Sequence, residues 1–164
     1  MKIIGIDPDC VKSGLAVYED GKLTGLLNFT LSEYIEMLPL LAQEGAILVI
    51  EDANLINAIY ADKVNKKPRN LTPQQWERVK LKKAQSVGMI KRQCSVMIEL
   101  AHAYDIKEVV TYKPRQGNWA GVTKTVNNKQ GVALLKKHTG WGKVSNNETR
   151  SAAFFGWLHL NKGV

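Results

Sequence analysis

The sequence predicts an α/β fold in which three antiparallel strands are followed by a helix, a strand, a long helix, a strand and two final helices. Three observations predict it. β-rich apolar runs open the chain before any helical periodicity begins, an Asp-Gly hairpin signal joins the second run to the third, and the later apolar runs alternate with helical patterns that carry their own start and stop residues. At 164 residues the chain is most simply one domain, 1–164, long enough to bury one substantial core, and it contains no internal repeat or low-complexity tract.

Taken in order, residues 2–7 read as a strand that is apolar until it ends on Asp7. Residues 14–18 and 22–30 read as two more, joined through Glu19-Asp20-Gly21. Ser32 reads as the N-cap of a helix with Tyr34, Ile35, Leu38 and Leu41 at helical spacing, and Gly45 ends it before the strand 46–51. Residues 54–71 are polar, basic and patternless, which predicts a mobile loop. Thr72-Pro73-Gln74-Gln75 then offers an N-cap, a proline at the first helical position and a capping-box glutamine. The long helix that starts there aligns Val87, Ile90, Cys94, Met97, Ile98 and Ala101 on one stripe, broad enough to cover a sheet or a partner helix. A strand at 108–112, a Pro/Gly/Trp loop to Val122, a helix through about Lys137 with the stop Thr139-Gly140, and a last helix over 146–160 complete the pattern.

Charge is unevenly distributed. The net charge is +8, yet residues 1–61 hold 3 Lys/Arg against 9 Asp/Glu, whereas residues 62–164 hold 20 against 6. Within 62–83 alone, Lys63, Lys66, Lys67, Arg69, Arg78, Lys80, Lys82 and Lys83 face only Asp62 and Glu77. Such a density suits a polyanion, and a solvated loop and helix face is the alternative. Cys10 and Cys94 show neither metal-ligand spacing nor a disulfide framework, so reduced thiols in a cytosol-like compartment are expected. No export-signal pattern opens the chain and no apolar segment approaches the ~20 residues that span a bilayer, which predicts a cytoplasmic protein with no membrane partner.

Each candidate acid has two readings from the residues alone. Asp7 before Pro8 either begins a turn or projects from the end of a buried strand. Glu51 and Asp52, after Ile-Leu-Val-Ile, are either solvated loop residues or a site at the end of a strand. Ser145-Asn146-Asn147-Glu148 has the form of a capping box, which would employ Glu148 at a helix start. Trp119 either stacks on a base or packs its loop, and packing is the expected reading.

Five motifs bring these residues into one frame: IIGIDP with the following SGLAV, LVIED at 48–52, QSVG with the apolar helix after it, VVTYKP at 109–114, and NNETRSAA at 146–153. In their order and their spread over nearly the whole chain they resemble the RuvC-type Holliday junction resolvases, particularly the shorter forms of phages and some bacteria. The resemblance implies a ribonuclease H-like fold, a five-stranded mixed sheet with helices on both faces. It also implies a homodimeric, metal-dependent endonuclease that cuts four-way or related branched DNA in the cytoplasm, of a bacterium or of a phage's host, without a nucleotide cofactor. Asp7, Glu51 and Glu148 would then be catalytic and hold Mg2+ or Mn2+, two ions per site. Hard oxygen ligands suit these cations, and paired ions ~4 Å apart commonly run phosphodiester hydrolysis. Lys113 would lie near the scissile phosphate, while Lys66, Lys67, Arg69, Lys80, Lys82, Lys83, Arg115 and Lys124 would contact DNA.

Two departures from the family accompany the resemblance. Where the family places an aspartate one helical turn after the acid or histidine of the last helix, this chain has Ser151, a neutral candidate for the fourth metal position. Where the bacterial enzymes carry an aromatic wedge it has Asn54 and Leu55, and the nearest aromatic is Tyr60. Ser151 favours a rival reading, a catalytically weakened branched-DNA-binding protein of the same fold. The opening Ile-Gly-Ile-Asp also resembles the first phosphate loop of actin-like ATPases, but those need a duplicated domain and no second copy occurs here.

Overall fold

The computed structural model describes residues 1–56, 70–115, 118–120 and 128–161. They form β1 (Lys2–Asp7), β2 (Ser13–Glu19), β3 (Lys22–Phe29), α1 (Leu31–Gln43), β4 (Ile47–Glu51), a 3-10 turn (Ala53–Leu55), α2 (Pro73–Ala103), β5 (Glu108–Tyr112), α3 (Lys129–Thr139) and α4 (Asn147–Leu160). The strands make one five-stranded mixed sheet in the order β3-β2-β1-β4-β5. β1 and β2, and β2 and β3, pair antiparallel, whereas β4 lies parallel to both β1 and β5. Asp20 and Gly21 both adopt positive φ, 49° and 79°, the geometry of a two-residue hairpin that matches the twist of its strands.

Alternation along the strands divides the core between the two faces. Ile4, Ile6, Leu15, Leu48 and Ile50 pack with Tyr34 and Leu38 of α1 and with Met97 and Ala101 of α2. Ile3, Ala16, Tyr18 and Val49 pack on the other face with Leu135 of α3 and with Ala152, Ala153 and Phe155 of α4. Helices therefore cover both faces, as expected.

Local chemistry moves several boundaries. Thr30, not Ser32, caps α1: its hydroxyl accepts from the Glu33 amide at 3.3 Å while the Glu33 carboxylate accepts from the Thr30 amide at 2.6 Å. The capping box T-x-x-E thus lies two residues ahead of the expected cap and ends β3 at Phe29. Thr72 and Gln75 form the capping box expected for α2. This helix is about 46 Å long by its residue count, and only Cys94, Met97 and Ala101 of the apolar stripe are buried. Ile98 is half-buried against the core, and Val87 and Ile90 are half-buried where the earlier part of α2 is more exposed. Asn54 and Leu55 belong to the 3-10 turn rather than to a loop, and residues 57–69 of the expected loop lie outside the described residues. In α3, Asn128 is the N-cap, its side chain accepting from the Gly131 amide at 3.3 Å, so the helix starts at Lys129 rather than just after Val122, and Gly140 closes it at φ 73°.

Candidate active site at the sheet edge

Parallel pairing fixes the first two acids. Ile6 of β1 is in register with Ile50 of β4, so Asp7 and Glu51 follow at the same carboxyl edge of neighbouring strands. The third comes from α4, which crosses directly over the sheet because glycines leave room for it. A Cβ on Gly5 would collide with the Ala152 carbonyl oxygen, and one on Gly14 with the Glu148 carbonyl oxygen. At the start of α4 the capping box is formed by Asn146 and Thr149, not by Ser145 and Glu148. The Asn146 side chain accepts from the Thr149 amide at 2.9 Å, and the Thr149 hydroxyl accepts from the Asn146 amide at 3.0 Å. Glu148 faces a cleft of about 230 Å³ whose polar lining also includes Asp7, Asp9, Glu51, Asn118 and Ser151. The three predicted acids thus line one cleft from three separate elements.

Burial and like charge dominate the electrostatics. Burial pushes the Asp7 carboxyl well above its usual range, and the neighbouring Glu51 charge adds to this, as do Glu148 and Asp9; the Ser151 hydroxyl opposes it. Burial also raises Glu51, to about 7, against the opposing hydrogen bond from Ser151. These carboxylates face each other in a half-buried cleft where water screens them poorly, which is costly unless a cation or a proton intervenes. The donor set fits a hard divalent ion: its charged members are all carboxylates. Cys94, the thiol in the cleft wall, is buried, donates to the Glu51 carbonyl oxygen at 3.5 Å and is pushed up to about 11, so it offers no thiolate. Among the described residues, no three His, Cys, Asp or Glu side chains are already gathered around a single ion position.

Ser151 is buried at the centre of a short hydrogen-bond chain. It donates to Glu51 Oε2 at 3.2 Å and accepts from Asn118 Nδ2 at 3.1 Å. One residue earlier, Arg150 is fully buried. Its Nε donates to the Trp119 carbonyl at 3.2 Å, its Nη1 to the Ser145 carbonyl at 3.0 Å and its Nη2 to Asn147 Oδ1 at 2.6 Å, tying the 118–120 turn to the start of α4. Burial lowers the Arg150 pKa and the Glu148 charge opposes that shift. Trp119 packs, being 3% exposed and stacked on His138 at 5.4 Å, so it offers no free face to a base.

The basic residues are distributed differently. Lys113 and Arg115 are exposed just beyond β5 and are not among the side chains lining the cleft. Lys82 and Lys83 are exposed on α2, with Lys83 over the Trp76 ring at 5.8 Å, and Lys80 pairs with Glu77 on the same helix. Lys66, Lys67, Arg69, Lys124 and Tyr60 lie outside the described residues. At the wedge position, Asn54 is tied to Asp52 at 2.8 Å and to the Lys91 carbonyl at 3.1 Å, and Leu55 is exposed. Asp52 is buried and caps the 3-10 turn, so it is neither a solvated loop residue nor part of the cleft lining.

Sequence reasoning missed Asp9, Asn118 and Arg150. Asp9 was legible as a second acid in Ile-Asp-Pro-Asp, and Arg150 as a lone charge entering the apolar run Ala152-Ala153-Phe154-Phe155. Asn118 carries no signal, since an asparagine in a Gly/Trp loop reads as turn chemistry.

No family model matches the sequence, and no curated protein does. Solved structures do match. Thermus thermophilus RuvC in complex with Holliday junction substrate aligns with a TM-score of 0.52 over 98% of this chain and 92% of that chain, at 15% identity. Another Thermus thermophilus RuvC structure aligns with a TM-score of 0.51 over 98% and 93%, at 14% identity. With its sheet order 3-2-1-4-5 and its helices on both faces, the chain has the ribonuclease H-like fold of RuvC.

Proposed function

We propose that this chain is a metal-dependent endonuclease that cleaves four-way or similarly branched DNA. The observation that carries the reading is the meeting of Asp7, Glu51 and Glu148, from three elements, in one cleft at the carboxyl edge of a RuvC-like sheet. Asp7, Glu51 and Glu148 would hold Mg2+ or Mn2+. When bound, such ions supply an activated water and stabilise the leaving oxygen of an in-line displacement. The protein's own part is to keep the carboxylates oriented and partly dry. Arg150 fixes the first turn of α4, and with it Glu148, while Ser151 donates to Glu51. Lys113 and Arg115, beyond the cleft edge, suit the flanking phosphates, and the exposed lysines of α2 would hold a duplex arm without reading its sequence. A homodimer fits this substrate, since a two-fold junction calls for two symmetric cuts.

A synthetic four-way junction incubated with the protein and Mg2+ or Mn2+ tests the reading, beside an Asp7→Asn control. Cleavage by wild type, lost in Asp7→Asn with junction binding retained, is expected. Ser151 favours a second reading, a branched-DNA-binding protein with weakened turnover; junction binding with no cleavage in either metal would decide for it.

A further inference from the structure

We infer that Asn118 is a positioning residue for Glu51, acting through the hydroxyl of Ser151. The inference deepens the proposed function, resting on its divalent-ion site.

The direction of the Asn118–Ser151 hydrogen bond is fixed by the amide. Asn118 Oδ1 accepts from the Ala120 amide at 3.2 Å, which leaves its Nδ2 facing Ser151 Oγ at 3.1 Å. An amide nitrogen can only donate, so the serine oxygen accepts from Asn118 and its single proton is directed to the carboxylates, with Glu51 Oε2 at 3.2 Å and the Asp7 carboxyl also within its reach. Ser151 is 1% exposed, so water does not compete for that proton. The 118–120 turn is itself anchored from two sides. Arg150 Nε holds the Trp119 carbonyl, and Asn128 Nδ2 donates to the Ala120 carbonyl at 2.7 Å. A hydroxyl directed at one carboxylate oxygen favours the ionised form and one orientation of Glu51, leaving its other oxygen for an ion. Groups of this kind behind a metal ligand commonly change metal affinity by about 10–100-fold.

The test is Mn2+ binding by calorimetry to the full-length protein, compared among wild type, Asn118→Ala, Ser151→Ala, the double variant and Ser151→Thr, with thermal melts to establish folding. Both single variants should weaken Mn2+ binding about tenfold, and the double variant should be no weaker than either single one. Ser151→Thr, which keeps the hydroxyl, should bind close to wild type, and neither alanine substitution should matter in a Glu51→Gln background. Additive losses, or an Asn118→Ala protein that binds Mn2+ as wild type does, would overturn the inference. Should wild type bind Mn2+ in this pattern yet cleave no junction, the nuclease reading falls and the positioning role stands. Cleavage by wild type with all variants binding Mn2+ equally gives the reverse, and a wild type that binds no Mn2+ overturns both.

Discussion

Individual carboxylates set the first expectations. Asp7 lies on the central strand, felt by Glu51, Glu148 and Asp9, so Asp7→Asn should abolish cleavage while the basic surface still binds a junction; a gel-shift and a cleavage assay on the same preparation separate the two. Ser151→Asp asks a different question. A fourth carboxylate beside Glu51 and Glu148 should raise the cleavage rate at low Mg2+ if an ion position lacks charge, and Mn2+ should help the wild type more than Mg2+ does. Repulsion among unneutralised carboxylates would act in the opposite direction. A metal titration of both proteins distinguishes these, and identical rates and midpoints would remove Ser151 from the ion site. At this scale the sequence was informative where an acid ends an apolar strand, as at Asp7 and Glu51. It was ambiguous at Glu148, because Ser-Asn-Asn-Glu-Thr offers two capping registers and only the folded backbone selects Asn146 with Thr149. Asn118 was illegible, since its role depends on a contact with a residue 33 positions away.

Elements position these residues through close packing. The glycines under α4 are the clearest case: Gly14→Ala would push the Glu148 carbonyl away from β2, and Gly5→Ala would do the same at Ala152. Each should cost about 1–3 kcal/mol and reduce cleavage well beyond what lost stability explains, because Glu148 and Ser151 move with the helix; melts and rates measured together check this. The strands and the caps of α2 were legible from alternation and local capping chemistry, which act over a few residues. The extent of the α2 stripe was not, because periodicity reports a helical face and not how far the sheet beneath it extends. Leu81 and Met89 are 69% and 52% exposed on the earlier part of α2, beside the half-buried Val87 and Ile90. That part should contribute to a homodimer. Sedimentation at micromolar concentration, with Leu81→Glu and Met89→Glu as the disrupting pair, checks it, and a wild-type monomer with and without junction DNA would count against it.

For the whole molecule, the cleft makes stability depend on pH in an unusual direction. Most proteins lose stability in acid because paired carboxylates must be protonated. Here Asp7 and Glu51 are raised instead, Glu51 from an ordinary value of 4.5 to about 7. Below about pH 4.5 Glu51 is protonated in both the folded and the unfolded chain and costs nothing. As pH rises toward 7 the unfolded chain gives up the proton and the folded chain retains it, so folding loses free energy; above 7 the loss is complete. A shift of this size corresponds to a loss on the order of 3 kcal/mol, several degrees in melting temperature for a chain of this size. Raised Asp7 acts in the same direction. The metal-free protein should therefore melt higher near pH 5 than near pH 8, Glu51→Gln should flatten that slope, and millimolar Mg2+ or Mn2+ should raise the melting temperature more at pH 8 than at pH 5. Cation and proton compete for the same carboxylates, so the two effects should converge at low pH. Equal melting temperatures at pH 5 and pH 8 in metal-free wild type and in Glu51→Gln would mean that the cleft does not hold its acids away from water.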